Sequence, residues 1–142
     1  MKTENSAGGI IFRQKGKKLQ ILVLKDKNNH WSFPKGSIEE NEDKQNTARR
    51  EIVEEVGISR LYFITELSPI SYWYKWQNDI IKKTVYYFLF KNVGKEVSKP
   101  QREEGIQDVK WINLDNASEI IGYPKTNRPI LKEIKEKLYG MD

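Results

Sequence analysis

Glu51, Glu54 and Glu55 stand at i, i+3 and i+4 within Gly36 to Ile58, which reads GSIEENEDKQNTARREIVEEVGI. On a helix turning about 100° per residue, Glu51 and Glu55 point within about 40° of each other. Glu54 lies about 60° to the other side of Glu51. Like charges at this spacing repel, so such a helix is expected to offset them with a positive partner, and a divalent cation is the obvious one. All-oxygen donors suit Mg²⁺ or Mn²⁺ and not zinc. An ion held there neutralises phosphate charge and lowers the pKa of a bound water, whose proton a nearby carboxylate can take. Arg50 adjoins Glu51 and is placed to pin its carboxylate. Gly36, lacking a Cβ, lets the backbone approach closely enough to offer a carbonyl. The competing reading is a solvated helix face, and the glutamates alone favour it.

These carboxylates need a scaffold. The chain has 142 residues, 37% hydrophobic and 32% charged, enough for one domain spanning residues 1–142. It has no cysteine, which excludes disulfides and thiolate metal sites and fits a cytoplasmic location. No apolar run could span a membrane, and the polar start Met1–Asn5 has no apolar segment after it, so neither a membrane partner nor a signal peptide is expected. Residues 36–58 hold seven acidic and three basic side chains, net −4, against +9 for the remainder of a +5 chain. An acidic patch in a basic shell suits a metal site that serves a polyanion, although a Lys-rich surface also simply keeps a protein soluble.

Ser6–Phe12 and Leu19–Leu24 read as strands of a hairpin turning over Gln14–Lys17. Trp31–Gly36 (WSFPKG) delivers the chain to the acidic stretch. A helix is predicted from an Asp43 N-cap to Val56, stopped by Gly57. Ala48, Ile52, Val53 and Val56 are expected on its far side from the glutamates, and Arg49 is expected to extend its charge outward. Further strands follow at Leu61–Leu67, at Thr84–Phe90, expected to be central, and at Ile106–Ile112. Asp115 is expected to cap a short helix to Ile121, and an amphipathic helix closes the chain from Asn127 or Arg128 to Tyr139. The order of elements gives an α/β fold, a mixed β-sheet with helices on both faces.

The whole string from Gly36 to Ile58 decides between the two readings of the glutamates. It fits Gly-x5-Glu-x7-Arg-Glu-U-x-Glu-Glu-x-Gly-U, U being bulky and aliphatic, at all nine specified positions, with Glu42 the first glutamate and Ile52 and Ile58 the two U residues. In this it resembles the Nudix hydrolase family. SAGGIIF, FPKG and the Trp111 strand extend the resemblance over most of the chain. It implies an α/β/α sandwich and Mg-dependent hydrolysis of a nucleoside diphosphate linked to a further group. It also implies that Glu51, Glu54 and Glu55 serve as metal ligands or base, with Arg50 and Glu42 supporting them. The carbonyl at Gly36 and a late-loop glutamate, Glu104 in preference to Glu103, complete the set.

The substrate must be read from outside that string. HWSFPKG, with Lys35 as a phosphate contact, resembles the asymmetric diadenosine tetraphosphate hydrolases. Tyr74 stands 16 residues past Ile58, where that group tends to carry a tyrosine. The Tyr72–Trp76 cluster could stack an adenine or form an apolar surface. Tyr72 and Tyr74 are expected to share a side with Trp73 opposite, and Tyr87 to wall the core or cleft. The expected reaction cleaves diadenosine tetraphosphate to ATP and AMP. RNA 5′-pyrophosphohydrolysis and hydrolysis of other nucleoside or inositol polyphosphates are alternatives within the same chemistry. A nucleotide-binding module that has lost catalysis is a different class, disfavoured because all three glutamates are present. A small nucleotide is the expected partner. No known RNA-binding motif appears, so a nucleic-acid partner is not expected. His30, the only histidine, reads as a loop residue.

Overall fold

Buried residues run without interruption from Ser6 to Phe12, from Ile21 to Leu24 and from Tyr87 to Phe90, as they must where helices cover both faces of a sheet. The computed structural model describes residues 2–140. Strands β1 (Lys2–Lys15) and β2 (Lys18–Lys25) form the expected hairpin, turning at Gly16 with φ 60°. Two short strands follow, β3 (Trp31–Ser32) and β4 (Lys35–Ser37), then helix α1 (Lys44–Val56). The sheet resumes with β5 (Leu61–Glu66), β6 (Ile70–Trp76), β7 (Asp79–Asn92) and β8 (Asp108–Asn113). The chain closes with α2 (Ala117–Ile120) and α3 (Pro124–Tyr139).

The order β3-β2-β1-β7-β5 runs across the sheet, with β4 added to β1, β6 to β7 and β8 to β2. β1 and β7 are parallel and the other pairs antiparallel, so the sheet is mixed, and β7 is central as expected. Period-two alternation divides each strand between two cores. Ile10, Ile21, Val23, Tyr87 and Leu89 face α2 and α3, where Ala117, Ile130, Leu131 and Ile134 meet them. Ala7, Ile11, Leu22, Phe88 and Phe90 face α1, where Ala48, Ile52 and Val56 meet them. This is the α/β/α sandwich.

Gly8 and Gly9 allow β1 to carry β4 on one edge and α1 on one face. A Cβ on Gly8 would strike the Pro34 carbonyl, and one on Gly9 the Ile52 and Phe90 side chains. The Gly9 N–H donates to that Pro34 carbonyl at 3.1 Å.

Several boundaries differ from expectation: β1 starts at Lys2 and not Ser6, and β7 at Asp79 and not Thr84. Ile106 lies outside the last strand, buried in the α1-side core, because β8 pairs with β2 only from Asp108. Asp115 does not cap a helix. It sits in a 3₁₀ turn, Leu114–Asn116, and accepts the Tyr139 hydroxyl proton at 3.0 Å. Helix α3 begins at Pro124, where a missing N–H costs nothing, and continues through Pro129. Pro129 has no N–H to return to the carbonyl of Lys125, an exposed residue.

Candidate active site

Helix α1 is bounded as its sequence requires. The Asp43 carboxylate accepts the Asn46 N–H at 2.7 Å, and Gly57, at φ 75°, returns its N–H to the Val53 carbonyl at 3.0 Å. Its glutamates border the buried stripe and do not oppose it. At about 100° per residue, Glu51 falls about 60° and Glu55 about 20° from Ala48, and Glu51 is only 9% exposed. Val53 falls about 140° from Ala48. It is 44% exposed and not packed on the sheet. Arg49 lies over the Phe90 ring at 4.9 Å and donates to the Leu61 carbonyl at 3.2 Å, where extension into solvent was expected.

Arg50 is the hub. Its guanidinium grips Glu42 with two hydrogen bonds, 2.7 and 3.0 Å, and donates to Glu51 at 2.9 Å, to Glu54 at 3.1 Å and to the Ser37 carbonyl at 3.0 Å. A fork of fixed donors suits this task as a lysine would not. The Arg50 and Thr47 hydrogen bonds hold the Glu42 carboxyl down to about 2. Burial pushes Glu51 up. Burial, and then a hydrogen bond shared with Glu51, pushes Glu55 well above the usual carboxylate range.

Gly36 pairs with Ala7 on the inner edge of β4. A Cβ there would occupy the space the Glu51 carboxylate fills. Glu104 ends an exposed 3₁₀ turn, Arg102–Glu104, near enough that its charge raises Glu55. The preceding loop is strapped to the end of α1, Lys99 N–H to the Val56 carbonyl at 2.9 Å and Gln101 N–H to the Glu55 carbonyl at 3.1 Å. Among the described residues no group of three or more acidic or histidine side chains is gathered, as the side chains stand, to hold a metal ion.

Beside Glu55 opens a cleft of about 830 Å³. Lys35, Tyr72 and Tyr87 line it, as does Lys83. Burial, then the charge of Lys83, lowers the Lys35 ammonium to about 8, and its Nζ lies 5.8 Å from the Tyr72 ring centre. Tyr87 is 2% exposed and forms the floor, edge-on to Phe33 at 6.1 Å. Tyr72 and Tyr74 share a side, ring centres 6.5 Å apart. Tyr74, however, lies outside the cleft lining and donates a hydrogen bond from its hydroxyl to Glu4.

The far wall escaped the sequence reading. Tyr123, Lys125 and Asn127 line it from the start of α3, facing the loop of Asp26 and Lys27. Tyr123 donates to Asp26 at 2.6 Å, and the His30 ring packs 4.8 Å from it. The signal was present in Gly122-Tyr123-Pro124. Proline marks a first helical position as readily as a break.

The NUDIX domain matches residues 2–135. An 8-oxo-dGTP diphosphatase of Buchnera aphidicola is 32% identical over 145 residues, 98% of each chain. The pig bis(5′-nucleosyl)-tetraphosphatase [asymmetrical] is 30% identical over 146 residues, 96% of each. This chain spans only 55% of a longer Mycobacterium tuberculosis relative, to which it is 30% identical over 142 residues. Among solved structures, a C. elegans Ap4A hydrolase binary complex superposes with a TM-score of 0.80 at 26% identity, covering 97% of this chain and 99% of that one.

Proposed function

The chain belongs to the Nudix family, and from that membership we propose that it hydrolyses dinucleoside polyphosphates, cleaving diadenosine tetraphosphate to ATP and AMP. The observation that carries the reading is the cleft. Tyr72 offers a ring to a base, Lys35 and Lys83 offer charge to phosphates, and Glu55 lies at its edge. The likeness to the pig tetraphosphatase and to the C. elegans hydrolase supports the same reading.

Nudix enzymes generally use a divalent cation, typically Mg²⁺. The residues present fit one. The donors are all oxygens, the absence of a side chain at Gly36 lets the Glu51 carboxylate pack against its backbone, and Glu51 and Glu55 are crowded together in partial burial. Glu51, Glu54, Glu55 and Glu104, with the Gly36 carbonyl, would hold the ion. When bound, it supplies neutralisation of phosphate charge and a more acidic water.

The chain's own residues do the rest. Lys35 and Lys83 hold the phosphates, Tyr72 stacks the base, and Tyr87 closes the floor against water. Arg50 keeps Glu51 and Glu54 aimed. One carboxylate of Glu51, Glu54 and Glu104 accepts the proton of the attacking water as its oxygen bonds to phosphorus. The bridging P–O bond breaks and ATP departs with the electron pair, leaving AMP. The test is a panel of diadenosine polyphosphates, ADP-ribose, nucleoside triphosphates, inositol pyrophosphates and triphosphorylated RNA, run in oxygen-18 water to locate the attacked phosphorus. Release of AMP and ATP is expected. Turnover of another member with none of the dinucleotides overturns the substrate.

A further inference from the structure

Residues 2–5 of β1, 70–76 of β6 and 79–84 of β7 form a three-stranded ribbon in which Ile81 alone is buried. The ribbon is nevertheless tied together. Lys2 pairs with Asp79 at 3.0 Å, Ser71 bonds Thr84 at 3.0 Å, and Tyr74 bonds Glu4. Side chains two apart on a strand share a face, so Tyr72, Tyr74 and Trp76 make one row. The row starts inside the cleft at Tyr72 and ends at the ribbon tip with Trp76, 62% exposed. At about 3.4 Å per residue the tip lies about 14 Å beyond Tyr72. A lone exposed tryptophan is ordinary; one that ends an aromatic row leading out of a cleft is not.

The foot of the row is where a phosphate chain would emerge. Tyr72 stands opposite Lys83 in the β6–β7 register, and both line the cleft. A polyphosphate held by Lys35 and Lys83 is therefore delivered to the ribbon. A cleft of about 830 Å³ is the size of a single-ligand pocket. With one base stacked on Tyr72 and the phosphates on Lys35 and Lys83, the second nucleoside of a dinucleotide is carried on along the ribbon. Trp76 presents an apolar ring on the same face, with no side chain of the described residues stacked on it among the aromatic and cation–ring contacts.

We infer that Trp76 is the stacking site for the distal nucleoside of a dinucleoside polyphosphate. The site makes the enzyme prefer a substrate with a base at both ends over a mononucleoside polyphosphate. The inference rests on the dinucleotide reading of the cleft.

The experiment compares diadenosine tetraphosphate with adenosine 5′-tetraphosphate, which lacks only the second nucleoside. KM and calorimetric dissociation constants are measured for the wild-type chain, Trp76→Ala and Trp76→Phe. Loss of a stacked base weakens binding at least about fivefold. Trp76→Ala is expected to weaken the dinucleotide by that factor and leave the mononucleotide unchanged, with kcat preserved. Trp76→Phe, which keeps a ring, is expected to restore most of the preference. Equal effects on both ligands, or none on either, overturn the distal site while leaving the hydrolase reading standing. A wild-type chain that neither binds nor cleaves the dinucleotide overturns both.

Discussion

The Glu51 carboxylate occupies the space of a missing Cβ at Gly36, so residue 36 is a constraint on catalytic geometry. Gly36→Ala is expected to displace the carboxylate, the movable partner, and not the strand. Misplacement of about 1 Å costs on the order of a hundredfold in rate; kcat should fall by that order while the thermal midpoint stays within a degree or two. Glu55→Gln should remove most activity, a loss of about a hundredfold or more, with the circular dichroism spectrum unchanged. Full activity in that variant would refute its assignment as a ligand. Glu42 makes a pH prediction. Its folded pKa, about 2, lies below the ordinary 4.5 because Arg50 and Thr47 bond the charged form. A depressed carboxyl contributes stability above its ordinary value and loses it as pH falls. Urea midpoints of wild type and Glu42→Gln should therefore differ at pH 7 and converge between pH 5 and pH 2. A gap that persists at pH 2 contradicts the Arg50 grip.

Helix α1 and its two ends act as a unit. Arg50 ties the helix to Glu42 before it and to the Ser37 carbonyl on β4, and the Lys99–Gln101 strap ties its last carbonyls to the loop that carries Glu104. Gly57 stands at the junction. At φ 75° a side chain is strained, and its Cβ would press on the Gln101 amide at 3.3 Å. Gly57→Ala should destabilise by about 1–2 kcal/mol in urea unfolding and speed amide exchange at Lys99 and Gln101. The helix was legible because its caps, Asp43 and Gly57, obey local rules. Its orientation was less so. The sequence shows a stripe of Ala48, Ile52 and Val56, but Val53 read as part of it, and only the docking of β1 and β4 reveals that Glu51 lies on the buried border. The start of α3 was missed for a related reason. Gly122-Tyr123-Pro124 reads as a break and so as grounds for a later start, and nothing local to Tyr123 shows that it faces Asp26, 97 positions away.

Across the whole molecule, the sandwich was legible from alternation, since two covered faces leave two interleaved sets of apolar residues in β1, β2 and β7. The cleft was not. Its walls come from the β2–β3 loop, β4, β6, β7 and α3, and no periodicity joins them. The carboxylate cluster gives a prediction at this scale. Anything that binds the folded chain alone raises its stability. Mg²⁺ should raise the thermal midpoint, chelator should abolish both the shift and hydrolysis, and the shift should shrink in Glu55→Gln. A midpoint insensitive to Mg²⁺ would count against the ion set.

The parallel pairing of β1 with β7 sets an order of events in synthesis. Lys2 lies against Ile81 and Phe12 against Lys91, so the strand made first meets its central neighbour only after 79 more residues exist. At 5–20 residues per second that is a wait of about 4 to 16 seconds. Meanwhile β1 can hold only β2 and β4, its other edge bare. The apolar run Ile10–Phe12 waits on that bare edge until β7 pairs with it.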